Sequence, residues 1–417
     1  MKKLLIFVLA LMMLLTSSGF TFFPFGNPLK DPVLTPLAQN GEETVFYQRL
    51  RGDLVLAIVG NRMHPERVEI RNMKTGEATA LSIRAEDEEY WRDLALTAHV
   101  NMLINQGKKL TPEEIEALGR EKFGGPVADI VFDGMMQVYE RGGRYVYLML
   151  QGGSLDGLLD IQTGVLLPDP LEKQTEITRA VLTPWDQYAY HDMHRQELVL
   201  MDLDGGNRTS VTLEATGMLN IVPLNDGLLV CNTDLNPARR EEVETKRGSK
   251  TVITRKMSYN TTITILDRKL QTVASISTQT GMPSIQGCWQ SKMNGRILLM
   301  NSPSCYLIDP ATGNCHVVQV EDNKLTLLPM LDEEGWPRTG SMIPLLGMSE
   351  QGDCALLLNG TLQRLDMETL TLTEHMTEEE VDELIKQTPG GIANYIGMWD
   401  GGEFLVTNRL ILRVHNQ

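Results

Sequence analysis

Signatures of catalysis are scarce in this chain, and each absence removes a class. No Gly-x-Ser-x-Gly elbow is present, so no serine hydrolase of that type is attached. A phosphate-binding loop, a dinucleotide fingerprint and His-Glu-x-x-His are equally missing. The adjacent cysteines of many quinoprotein dehydrogenases are lacking. So is the Asp-box of sialidases, which Ser154-Leu-Asp156 begins without the Gly that should follow. Basic charge is in deficit: the formal net charge of −16 argues against nucleic acid or an anionic membrane as main partner. Cysteine is sparse. Cys231, Cys288, Cys305, Cys315 and Cys354 leave at least one thiol unpaired within the chain, and their spacing matches no zinc module. Cys305 and Cys315 flank one turn and are the one pair for which a disulfide is weighed.

Long apolar runs are also lacking, with one exception at the start. Lys2 and Lys3 precede an apolar stretch from Leu4 to Leu15, then Thr16-Ser-Ser-Gly19. A positive end, an apolar core too short to span a bilayer comfortably and small residues after it read as a signal peptide over 1–19. An uncleaved anchor extending through Phe25 is the alternative. Pro24, Pro28, Pro32 and Pro36 follow at four-residue intervals. Each removes a donor and favours extended backbone, so 20–42 reads as a tether and 43–417 as the globular part.

What the chain does have is a recurring hairpin signature. Asn72-Met-Lys-Thr-Gly76, Asp160-Ile-Gln-Thr-Gly164, Asp202-Leu-Asp-Gly-Gly206 and Asp309-Pro-Ala-Thr-Gly313 each follow an apolar run and precede a β-rich one. Weaker copies start at Asp267 and Asp366. The Asp or Asn side chain caps its own turn, and Gly supplies the positive φ that closes it. Asp160 to Asp202 is 42 residues, and so is Asp267 to Asp309. Four short strands with their turns need about 40–45 residues, the length of a propeller blade. The fold expected is therefore all-β: a β-propeller of about seven four-stranded blades, closed by N- and C-terminal strands. Glu43–Tyr47 is the strand expected to complete the last blade.

One blade is more specific. Thr178-Arg-Ala-Val-Leu-Thr-Pro184, Trp185-Asp-Gln-Tyr-Ala-Tyr190 and Glu197-Leu-Val-Leu-Met-Asp-Leu-Asp-Gly-Gly206 resemble the TolB-type propeller repeat, in which Pro-Asp-Gly opens a short apolar strand and a second ends in Asp-Leu-Asp-Gly-Gly. Trp185-Asp-Gln departs from that pattern at the first turn. The resemblance implies a fold and an exported setting and transfers no substrate.

The intervals longer than 42 hold insertions. Helical spacing places a helical insertion over 85–124, with Tyr90, Leu94, Leu96, Val100 and Leu103 on one face of its first helix. Its second helix opens at Thr111-Pro-Glu-Glu114, a capping box with Pro in the first turn. Thr377-Glu-Glu-Glu380 opens another helix, over 377–387. The region 236–257 is charged: Arg239, Arg240, Lys246, Arg247, Lys250, Arg255 and Lys256 stand among Glu241, Glu242 and Glu244. It reads either as an elongated solvated hairpin or loop or as a grip for an anionic polymer.

Two further groups are weighed as sites. Trp185, Trp289 and Trp399 each precede a second blade strand and could line one rim or pack between blades. His191-Asp192-Met-His194 would suit a metal only if a turn brought both imidazoles together. The functional expectation is an exported, non-enzymatic, monomeric propeller that binds a protein, peptide or glycan at the cell envelope. It carries no cofactor, and it meets the membrane only through an uncleaved N-terminal segment. The alternative is an exported hydrolase or lyase with an acidic and histidine-bearing site in the propeller channel. A third reading, in which the 85–124 insertion docks a partner, requires an exposed apolar stripe on it.

Overall fold

In the computed structural model, the described backbone covers residues 34–38 and 45–414, apart from 73–74, 170–179, 216, 248–249, 281–284, 286, 302–303, 322–323, 342, 344, 349–353, 360, 381, 383–391, 400–401 and 408–410. The signal segment expected over 1–19 lies outside the described residues. Seven antiparallel-based sheets are found among them. Numbered along the chain, sheet I spans 45–80, sheet II 137–167, sheet III 181–212, sheet IV 218–280, sheet V 287–328, sheet VI 345–376 and sheet VII 392–414. In six of them, four strands follow one another up and down. This unit is the blade of a β-propeller, and the chain belongs to that fold class. Two sheets gain an extra strand: Ser82–Ile83 runs parallel along the edge of sheet II, and Lys324–Leu328 adds a fifth strand to sheet V.

The recurring turn occupies one structural position, between the third and fourth strands of its sheet, in all six copies. The backbone bond that closes it runs from Gly76 N–H to Asn72 O at 2.8 Å, from Gly164 to Asp160 at 2.8 Å and from Gly313 to Asp309 at 2.9 Å. Side-chain oxygens cap the same turns, as in the bonds from Thr75 N–H to Asn72 and from Gln162 N–H to Asp160. In the two weak copies a leucine stands where glycine would: Leu270 holds φ 60° and Leu370 φ 57°. Both are buried, so packing offsets the strain of a left-handed non-glycine residue. The TolB-like departure in sheet III is conformationally silent, because Asp186 holds φ 62°, a conformation that aspartate tolerates better than most residues.

Sheet VII has no third-to-fourth turn because its fourth strand comes from the other end of the chain. Leu34–Ala38 pairs antiparallel with Ile411–Val414, with a bulge between Pro36 and Ala38. This corrects two expectations. Val45–Arg51 is the first strand of sheet I and closes nothing, and part of the proline-rich 20–42 segment is a strand. Proline is tolerated at an edge or a bulge, where no ladder bond is lost.

Two compact units divide the sheets: 1–169 with 376–417, and 170–375. In the first, one apolar core joins sheets I and II to the helical insertion. That insertion comprises α1 (Glu88–Asn105), α2 (Pro112–Lys122) and α3 (Val127–Val131). The Thr111 capping box is complete: Glu114 N–H donates to Thr111 Oγ1 at 3.3 Å and Thr111 N–H to Glu114 Oε2 at 2.7 Å. Helix α1 buries Trp91, Ala95 and Leu103, while Tyr90, Leu94 and Leu96 are half-buried beside them. The apolar stripe is thus spent on the core, contrary to the partner-docking reading. At Thr377 a second capping box forms with Glu380, and the helix it opens is described from Glu378 to Glu380 and at Asp382. In the second unit, cores lie between sheets IV and V and between sheets V and VI.

Candidate functional site: a two-stranded arm on sheet IV

The second and third strands of sheet IV, Gly227–Arg247 and Lys250–Asp267, are far longer than their neighbours. The first strand, Met218–Pro223, reaches only to Thr233, and the fourth, Thr272–Thr280, only to Tyr259. Beyond Leu235↔Tyr259 the two strands continue alone, from Arg240↔Met257 to Arg247↔Lys250. Eight such pairs make a ribbon about 25 Å long at roughly 3.4 Å per residue. The region expected as a charged loop is therefore an elongated hairpin. It leaves the sheet at the end opposite the Asp267 turn, since second-to-third and third-to-fourth connections lie at opposite ends of an up-and-down sheet. A register shift between Leu235 and Arg240, which includes Pro237, marks its root.

The register sorts the basic residues. Lys256 is the paired position of Glu241, and Arg255 that of Glu242, so each of these basic positions is registered against an acidic one. At the tip the pairs are Lys246↔Thr251 and Arg247↔Lys250, with no carboxylate at a paired position. Glu244 stands two positions from Lys246 on the same face, by strand alternation. Arg239 lies in the bulge and Arg240 opposite Met257. The register thus sets Arg255 and Lys256 against acidic positions, and leaves Arg240 at the root and Lys246, Arg247 and Lys250 at the tip paired with none. At the root, Met218 and Leu235 are about half exposed, and sequence reading had not singled them out. The signal was weak, since isolated apolar residues on a surface are ordinary.

The other candidates do not assemble a site. His191 is buried and its Nε2 lies 3.0 Å from Leu213 O, inside sheet III. Asp192 closes the adjacent hairpin by accepting from His194 N–H at 3.1 Å and Arg195 N–H at 3.0 Å. The Arg195 N–H is the foremost of the bonds that hold its carboxyl below the usual range. His194 is exposed at that tip, so the two imidazoles do not converge. Counting His, Cys, Asp and Glu alone, no group of three suited to a metal ion comes together among the described residues.

Trp185 donates to Gln187 Oε1 at 2.8 Å and lies under the Arg268 guanidinium, 4.8 Å from its ring centroid. Trp289 packs against the core between sheets V and VI. Both are half-buried packing groups and form no open aromatic rim; the Trp399 side chain lies outside the described residues. The weighed Cys305–Cys315 bridge does not form, and both are free thiols. Their register partners, Val318 and Ile308, set them three positions apart along the hairpin, which puts them on opposite faces of sheet V. Cys305 belongs to the core shared with sheet VI and Cys315 to that shared with sheet IV.

No family model and no curated protein sequence matches this chain. Among solved structures, it is similar to the β-propeller domain of Cps50 (Swd1) from Myceliophteria thermophila, at 13% identity and TM-score 0.40, covering 92% of this chain and 100% of that one. YCF48 bound to D1 peptide shares 9% identity at TM-score 0.40, covering 94% and 99%. A streptogramin B lyase shares 10% at TM-score 0.39, covering 91% and 96%. At such values these likenesses carry nothing about activity, and the fold assignment rests on the repeated sheets themselves.

Proposed function

We propose that this protein is an exported, non-enzymatic propeller whose sheet IV arm holds a polyanionic partner of the cell envelope, an acidic polypeptide or an acidic glycan. One observation carries the reading. The arm runs on past both flanking strands of its sheet and ends in Lys246, Arg247 and Lys250, whose register positions pair with Thr251 and with each other and with no acidic residue. A lone two-stranded ribbon is marginal in water, so one this long is better accounted for by contact than by folding. The apolar residues Met218 and Leu235 at the root give such a partner an uncharged foothold. Export is supported by the N-terminal pattern of Lys2, Lys3 and the apolar run Leu4–Leu15.

The test uses the full chain lacking its leader, passed over immobilised poly-glutamate and over an immobilised sulfated glycan. Retention should fall with rising salt, because exposed charge pairs are screened. Converting Lys246, Arg247 and Lys250 together to Glu should abolish retention on whichever matrix holds the wild type. The same conversion at Arg255 and Lys256 should weaken it less. Equal retention of the tip variant and wild type on both matrices, and equal recovery with cell envelopes, would remove the arm from function.

A further inference from the structure

Between sheets IV and V lies a small cavity of about 10 Å³, room for a single water-sized body. Three sulfur side chains line it. Cys231 comes from the second strand of sheet IV, Cys315 from the fourth strand of sheet V, and Met330 from the segment after the fifth. The Cys315 and Met330 sulfurs are 3.6 Å apart. Two sulfurs each about 2.3 Å from one ion in a trigonal plane would stand about 4 Å apart, close to this spacing. The other lining residues that carry hydroxyls are Tyr306 and the series Thr233, Thr261 and Thr280, the last three linked at 3.3 and 2.9 Å.

From this geometry we infer that the cavity is a binding site for a single soft monovalent cation of the copper(I) or silver(I) type, held by Cys231, Cys315 and Met330. The donor set selects the ion. A thioether with thiols favours soft monovalent metal, and no imidazole or carboxylate lines the cavity to satisfy zinc, which closes its structural sites with four donors. Entry of the ion breaks the S–H bond of one cysteine, whose thiolate binds the metal while the other thiol and the Met330 thioether donate lone pairs; one proton leaves to solvent, no electron changes hands, and the net charge of the pocket is unchanged. This inference is independent of the arm.

The experiment titrates the reduced full chain, without oxygen, with silver(I), following ultraviolet thiolate–metal absorption, proton release and melting temperature. One tight equivalent should bind, releasing one proton and raising the melting temperature. Met330→Leu conserves volume and should leave the metal-free protein folded. It should weaken the tight equivalent by about tenfold, the order seen when groups supporting a metal site are removed. Cys231→Ser with Cys315→Ser should eliminate it, whereas Cys305→Ala, on the other face of sheet V, should retain it. Unchanged affinity in Met330→Leu and in the double variant, loss in Cys305→Ala alone, or equally tight zinc(II) binding would each overturn the assignment.

Discussion

Two of the insertions that lengthen the blade repeat are treated in opposite ways by the molecule. Helices α1 to α3 carry apolar residues at helical spacing and are drawn into the first core, with Trp91 fully buried beside sheets I and II. The arm of sheet IV carries charge and isolated β-branched residues, and runs outward with no flanking strand. An insertion that can bury a continuous stripe becomes part of the stability of its blade. One that cannot is left to contact something else.

The largest effect should come from breaking the buried side of this contrast. Trp91→Ala should destabilise by about 3–5 kcal/mol, read by denaturant unfolding. Trp91→Phe should cost much less, because the buried Trp91 Nε1 finds no acceptor and its removal leaves nothing unpaired. Gly157→Ala tests the same seam from sheet II. An added Cβ would lie 2.6 Å from Trp91 Cη2 and 3.2 Å from Leu167 O, and such overpacking should cost about 1–3 kcal/mol.

Arg144→Ala probes the turn that closes sheet II. Burial alone would raise the Asp160 carboxyl; the Arg144 guanidinium, bound at 2.5 and 2.9 Å, and the Gln162 N–H outweigh it and hold the pKa below the ordinary range. With the folded value below the unfolded one, this contribution is complete above the unfolded pKa and fades as pH falls through the folded one. Unfolding should therefore show a loss of about 2 kcal/mol at neutral pH that shrinks in acid. A gap that widens in acid would contradict the pairing. The smallest effect belongs to the arm. Deleting Arg239–Lys256 and closing the hairpin with Asn-Gly should change stability by less than about 1 kcal/mol while removing polyanion retention. A large loss of stability would place the arm in the fold instead.

Much of this was legible beforehand because it is local. The Asp160 and Asp309 turns cap themselves within five residues, and the Thr111 box within four, so composition and spacing specify them. Elements that depend on distant partners were misjudged. Leu34–Ala38 reads as a tether until Ile411–Val414 is beside it. Trp91 was passed over in favour of Tyr90 and Leu94, since a one-residue rotation of the apolar stripe is decided by what α1 packs on. Cys305 and Cys315 invited pairing by proximity along the chain, yet strand alternation sends them to different cores.

The order of residues alone thus settled the blade length, the six recurring turns and the positions of the insertions, all of which rest on backbone dihedrals and hydrogen bonds between near neighbours. Tertiary structure alone decided which strand completes sheet VII, which basic positions of the arm are registered against acidic ones, and which sulfurs share a cavity. These depend on register and on the facing of sheets, quantities set by residues dozens or hundreds of positions apart.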